Sequence, residues 1–235
     1  ELFNQPTAGV AAAREKALRL AKGEFIIHID SDDLMTERAI EYLYNSIVEN
    51  ESDVSVGSYI IQNKVDEEVV KHSLSSKDSF IRSNLTGEYR GSLWNKLIRA
   101  SVCKDISFDK NLNYMEDLLF LIKVLEKDNV KLSITNEIVY FYRKVNTSYT
   151  NNITYESIIS SVKVVDKICE ICKDRYSNEF IAHIKNKNRI RVLLNSNETQ
   201  RNTFTESNKY LLHDKNIPLK HKAIVVSDLL YLSLP

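Results

Sequence analysis

Lys22-Gly23-Glu24-Phe25-Ile26-Ile27-His28-Ile29-Asp30-Ser31-Asp32-Asp33 is the stretch whose reading decides the fold. Phe25, Ile26, Ile27 and Ile29 form a nearly unbroken apolar run after a helix-stopping glycine, the pattern of a central strand covered on both faces. Three aspartates then fall within four positions. Strand side chains alternate, so Asp30 and Asp32 are expected to leave the strand end on one side, about 6–7 Å apart at Cα. Two carboxylates so placed suit a hard divalent cation such as Mg2+, usually held by one or two carboxylates with phosphates and water filling the remaining positions. In open α/β sheets ligands gather at the carboxyl ends of strands. The competing reading is a solvated acidic turn before the next helix.

Upstream, Val10, Ala13, Ala17 and Leu20 recur on one face and predict a helix from about Ala8 to Ala21, stopped by Gly23. Arg14 sits there among small alanines, either within reach of a phosphate or nucleotide or as a solvated charge. Downstream, Thr36 is expected to cap a helix to about Asn50 with Ile40, Leu43, Ile47 and Val48 facing inward. Residues 53–61 and Val69-Val70, around a polar turn, predict strands or a hairpin, and Ser75 or Ser76 opens a short helix to Leu85. Trp94, the single tryptophan, is followed by Asn95 and Lys96. The trio reads as core with a snorkelling base or as the wall of a polar pocket. Glu116 and Asp117 open an amphipathic helix to about Lys127. Acids there complement the helix dipole, and a carboxylate aimed from a helix start also suits a general base. Residues 130–134 and 139–142 predict two strands, the second ending in Arg143, fit for a diphosphate or an acid partner.

The chain has 235 residues, 32 basic and 32 acidic, and zero formal net charge. No overall basic field points to nucleic acid. Three cysteines suggest a reducing compartment, with Cys169 and Cys172 read as core on a helix. The five histidines make no i, i+4 pair. No signal peptide or spanning segment is visible, so a cytoplasmic place is expected. A boundary near Asn151 divides an α/β region, 1–150, from a helical region, 151–235, with helices expected at 178–195, 205–213 and 219–232. In the last, Lys220 to Leu232 combines basic and apolar residues, suiting burial or a peripheral membrane contact.

In order and spacing, Ala8-Gly9-Val10-Ala11-Ala12-Ala13-Arg14, Ala21-Lys22-Gly23-Glu24-Phe25-Ile26, Asp30-Ser31-Asp32-Asp33, Leu93-Trp94-Asn95-Lys96-Leu97, Met115-Glu116-Asp117-Leu118-Leu119-Phe120 and Tyr140-Phe141-Tyr142-Arg143 with Ser148 together resemble the bacterial family 2 glycosyltransferases. The resemblance runs from about Thr7 to Ser148. It implies an α/β fold of GT-A type, a Rossmann-like mixed sheet flanked by helices. It further implies an inverting transfer of sugar from a nucleotide-diphosphate donor to an acceptor hydroxyl of a glycan or lipid-linked acceptor, with Mn2+ or Mg2+, in cell-surface polysaccharide or lipopolysaccharide synthesis. Asp32 is then the metal ligand, Asp30 its companion near the ribose or diphosphate, and Arg14 touches the nucleotide. Asp117 is the catalytic base, Glu116 orients the acceptor, Trp94 and Lys96 line the acceptor or diphosphate side, and Arg143 meets the diphosphate.

The family's opening strand and turn have no counterpart before Thr7, so the fold is expected to be N-terminally incomplete and half of the nucleotide pocket absent. Glu15 stands where the family has Asn, and Thr7 where Asn is common. Two other functions compete. A Mg2+-dependent phosphatase-like enzyme also places an aspartate nucleophile, Asp30, at such a strand end. A non-catalytic domain derived from a transferase is the second.

Overall fold

A computed structural model describes residues 3–63, 65–73, 76–144, 154–195, 209–223 and 226. The chain divides into two compact units, 1–152 and 153–235. The first opens with α1 (Val10–Leu20), β1 (Phe25–Ile27), β2 (Leu34–Met35), α2 (Ala39–Glu49), β3 (Val54–Gln62) and β4 (Glu67–Val70). It continues with α3 (Lys77–Thr86), β5 (Lys96–Arg99), the single-turn α4 (Ala100–Cys103), α5 (Glu116–Leu125) and β6 (Leu132–Arg143). This is the α/β mixture expected.

The six strands make one mixed sheet in the order β1-β5-β3-β6-β2, with β4 on the remaining length of β3. Only β3 and β6 run parallel; β5 is antiparallel to both β1 and β3. The expectation of a central β1 is not met. It has three half-buried residues and ends the strand order, and Ile29 is already exposed. Phe25 packs edge-on against Tyr44 and under the Arg99 guanidinium. Since β1 and β2 stand at opposite ends of the order, residues 28–33 pass across the end of the sheet.

One core cluster joins Ala39, Leu43 and Ile47 of α2 to Tyr59 and Ile61 of β3, Trp94, Leu97 of β5, and Val139 and Tyr140 of β6. Leu43 and Ile47 thus face inward as expected, whereas Ile40 and Val48 are exposed. The helix begins after Arg38, with no side-chain cap; Thr36 instead donates its hydroxyl to Ile138 O at 2.9 Å. Ser76 does cap α3, in a reciprocal box with Ser79. The two strands expected at 130–142 are one, β6, whose register on β3 slips twice: Gly57 pairs with Thr135, Ser58 with Ile138 and Tyr59 with Tyr140. Gly57 is needed there, because a Cβ would lie 2.5 Å from Val139 Cγ2.

The second unit contains α6 (Tyr155–Cys172), α7 (Asn178–Asn195) and a 3-10 turn (Lys209–Leu212). Thr154 caps α6 by accepting the Ser157 N–H. Cys169 and Cys172 are buried free thiols, as is Cys103 in the first unit. Ile190, Leu211 and Ile217 form a small core, beside which Asp214 accepts from Asn186 at 3.0 Å. Ser148, the 145–153 boundary region and most of the helices expected at 205–213 and 219–232 lie outside the described residues; 219–223 are helical. Among the described residues no helix is long and apolar enough to cross a membrane.

Candidate active site

Arg14 is the hub of the first unit's polar cluster. From the buried side of α1 it donates through Nη2 to Asp30 Oδ1 at 2.8 Å and through Nη1 to Glu116 Oε1. Its side chain is 14% exposed and that of Glu116 7%, so that pairing is largely shielded from water, whereas the Asp30 side chain, 35% exposed, keeps one side open to solvent. Charge-assisted bonds of this kind fix geometry as well as charge. The acidic loop and the start of α5, far apart in sequence, are thereby tied to one guanidinium. Burial acts to lower the Arg14 pKa, but the charges of Asp117, Glu116 and Asp30 outweigh it and raise it.

Glu116 and Asp117 follow Met115, which takes a left-handed conformation (φ 63°, ψ 18°) and makes the abrupt entry into α5. Such a conformation costs a non-glycine residue about 1–2 kcal/mol and recurs at functional sites. Asp117 Oδ1 accepts the N–H of Leu118 at 2.8 Å. Burial raises both carboxyls above their ordinary range; Asp117 adds to the rise of Glu116, and Arg14 opposes it in each.

The acidic segment is a loop, not a strand end, so strand alternation does not govern it. Asp33 N–H donates to Asp30 O in a turn, and Asp30 N–H donates to the Tyr140 hydroxyl at 3.1 Å. Asp33 is buried and accepts the Arg143 N–H at 2.8 Å, while Arg143 Nε donates to Asp32 O at 2.6 Å. Arg143 therefore braces the loop. The Asp32 side chain is exposed and makes no hydrogen bond or ion pair among the described residues. Among the described residues no group of three or more His, Cys, Asp or Glu side chains is arranged to hold a metal ion by itself.

Trp94 and Lys96 lie behind the site. Trp94, 3% exposed, stacks on Tyr140 at 4.4 Å and Tyr142 at 5.8 Å and meets Tyr59 edge-on. Its expected place along the substrate is replaced by a core stack that carries Tyr140, and through it Asp30. Lys96 is wholly enclosed, donating to Ser92 O at 2.6 Å and Asn95 Oδ1 at 2.8 Å, so it lines no open surface. Burial pushes it down to about 7, against the opposing charge of Asp117. His28 is a packed histidine beside Phe108 and Phe120, pushed down to about 4 by burial and then by Arg14.

Sequence reasoning missed Tyr140, Asn95, His72 and Gly91. Tyr140 and Asn95 stand inside the motif strings quoted above, but nothing in a string says which hydroxyl or amide turns inward. Glu15 is a structural replacement: it accepts the Phe108 N–H at 2.8 Å and Arg19 Nε at 2.8 Å.

Arg14, Asp30, Glu116 and Asp117 thus converge, beside Asp32, on a mixed α/β frame of GT-A-like fold. Residues 1–111 match the family model described as Glycosyl transferase family 2. The matched segment holds Arg14, Asp30, Asp32, Trp94 and Lys96. The chain is 28% identical over 183 residues to the cholesterol galactosyltransferase of Borreliella burgdorferi, covering 71% of this chain and 48% of that protein. It is 27% identical over 256 residues to the poly(ribitol-phosphate) beta-N-acetylglucosaminyltransferase TarP of Staphylococcus aureus, covering 95% and 76%. The crystal structure of S. aureus TarS 1-349 in complex with UDP-GlcNAc superposes with TM-score 0.60 at 20% identity, covering 96% of this chain and 66% of that one. The chain spans about half the length of the galactosyltransferase.

Proposed function

We propose that this chain forms part of an inverting glycosyltransferase that moves a sugar from a nucleotide-diphosphate donor to an acceptor hydroxyl in the synthesis of a cell-surface polysaccharide. The observation that carries the reading is the Arg14 bridge, which sets the acidic loop opposite the Glu116–Asp117 pair in a chain that matches the family 2 model. Asp117 takes the proton from the acceptor hydroxyl, and Glu116, fixed by Arg14, orients that acceptor. Burial favours this chemistry, since a carboxyl raised toward neutrality is a stronger base when ionised. Arg14 has both carboxylates as partners, so its expected contact with the nucleotide requires an exchange of one of them for phosphate.

A divalent ion, Mn2+ or Mg2+, fits the loop chemically. The Asp32 carboxylate has no protein partner among the described residues, and Asp30 engages Arg14 through Oδ1 alone. Hard oxygen donors of this number, completed by phosphate and water, are the usual Mg2+ set. When bound, the ion offsets charge on the departing diphosphate. The acceptor is a glycan or lipid-linked hydroxyl. A peripheral contact of Lys220 to Leu232 with the cytoplasmic membrane face completes the proposal; deletion of that segment abolishes liposome flotation if it holds.

Two substitutions test the reading. Asp32→Ala is expected to abolish Mn2+- or Mg2+-dependent turnover, and unchanged metal-dependent activity refutes its assignment. Asp117→Asn is expected to leave donor binding by calorimetry intact while transfer falls by roughly 10²–10⁴-fold, the usual worth of a general base. Lost donor affinity reassigns the residue.

A further inference from the structure

We propose that Arg90, seated on the Tyr142 ring beside the polar cluster, is an oxyanion subsite that takes a phosphate group carried by the acceptor. The assignment to the acceptor rests on the reading of Asp117 given above, and the experiment below separates the two.

Arg90 is exposed, and its guanidinium lies over the Tyr142 ring, 4.6 Å from the centroid. Tyr142 stacks on Trp94, Trp94 stacks on Tyr140, and the Tyr140 hydroxyl accepts the Asp30 N–H. One aromatic series thus runs from the acidic loop to this guanidinium. In the described part of the first unit, Arg14, Arg19, Arg38, Arg82 and Arg99 each pair with a carboxylate, and Arg143 donates to Asp32 O. Among those described residues Arg90 is the one arginine whose side chain has neither an acid nor a carbonyl partner. The Tyr59 hydroxyl lies beside it and can take one of its protons. Glu68 shares a register row with Tyr142 but stands two strands away, about 9–10 Å at Cα, and makes no ion pair with Arg90. An arginine held by a ring instead of an acid keeps most of its fork of N–H donors for an outside oxyanion.

The backbone on either side of Arg90 is fixed. Gly87, at φ 72°, ends α3 in a left-handed turn, and the N–H groups of Glu88 and Tyr89 both donate to Ser83 O. The Tyr89 ring meets buried His72 at 4.4 Å, and His72 Nε2 faces Asn95 Nδ2 at 3.3 Å. On the other side Gly91 lies so close to α5 that a Cβ would come 2.4 Å from Leu118 Cδ1. Leu118 is the residue whose N–H donates to Asp117 Oδ1.

This placement selects the acceptor as the source of the phosphate. The Gly91 contact sets Arg90 one residue from the first turn of α5, where Asp117 takes the acceptor proton. The donor diphosphate belongs with Asp30 and Asp32 in the proposed reaction. Arginine presents a planar fork that matches phosphate oxygens, which a solvated lysine does not.

The test adds a synthetic glycerol phosphate trimer to this chain, with triglycerol as the neutral control. The Arg90 Nε–Hε signal, assigned by its loss in Arg90→Lys, is followed by 15N NMR. The trimer is expected to shift it and triglycerol to leave it in place. By calorimetry Arg90→Gln should bind the trimer about tenfold more weakly, the worth of one hydrogen bond to a charged group. An Arg90 signal unmoved by the trimer, or moved equally by both compounds, overturns the proposal whether or not Arg90→Gln folds. UDP with Mg2+ that moves the signal as far as the trimer does gives the arginine to the donor and overturns it as well. Trimer binding at Arg90 in a parent protein that transfers no sugar supports the subsite and refutes the transferase reading alone. Transfer by a parent protein whose Arg90 ignores the trimer refutes the subsite alone.

Discussion

Tyr140 keeps its hydroxyl in use although the residue is completely buried: it accepts the Asp30 N–H at 3.1 Å while its ring stacks on Trp94. Tyr140→Phe preserves the stack and leaves that N–H without its acceptor, a loss of about 1 kcal/mol. Thermal melts should therefore move little, whereas donor affinity falls, because the loop that carries Asp30 loses a fixing point. Equal donor affinity in the two proteins contradicts the link. At this scale the charged residues were the legible ones. Arg14, Asp30, Glu116 and Asp117 were singled out from residue type and spacing, and the structure brings them together. Trp94 and Lys96 were singled out too, yet they lie behind the site. A Trp-Asn-Lys string shows which chemistry is available but not which way the chain turns, and burial changes a lysine from a surface anchor into an enclosed donor to Ser92 O and Asn95 Oδ1.

Element by element, β3 and β6 govern the frame. Between the pairings Gly57–Thr135 and Tyr59–Tyr140, β6 advances five residues while β3 advances two. Bulges of this sort re-aim side chains beside functional sites. Here they bring Tyr140 to Asp30 and Arg143 to Asp32 and Asp33. Gly57→Ala, with its Cβ forced to 2.5 Å from Val139 Cγ2, is expected to cost about 1–3 kcal/mol by overpacking. Activity should fall alongside the denaturation midpoint, since Val139 precedes Tyr140. The sequence showed β6 as two strands because polar Asn136 and Glu137 interrupt the apolar pattern, and in a bulge such an interruption is compatible with one strand. It showed no β5, whose apolar core, Leu97-Ile98, is only two residues long. For β1 it misled, since a short apolar run reads alike at a sheet's centre and at its edge.

For the molecule as a whole, buried titratable groups set how stability responds to pH. His28 and His72 both fall to about 4 from an ordinary 6.5. The unfolded chain binds more protons between those values, so their contribution is present above pH 6.5 and lost as pH falls toward 4. Glu116 and Asp117, raised in the folded chain, act in the opposite sense: theirs is present at low pH and lost as pH rises. Melting temperatures between pH 7 and 5 should drop less in His72→Phe than in the parent; equal slopes exclude His72 as a source. A change of hydrophobic period divides the sequence into an α/β part and a helical part, and the two compact units meet at 152/153. The far end of the second part was visible only as periodicity. One feature of the first unit bears on how it answers a ligand. Seven steps of chain from Ile27 to Leu34, roughly 25 Å at full stretch, must join strands that would stand roughly 19 Å apart in a flat sheet, and part of that length is consumed by the turn at Asp30. A strap with so little slack transmits a pull: whatever draws the aspartates forward tugs on both margins of the sheet, whereas a few glycines spliced in near Ile29 would let it go loose.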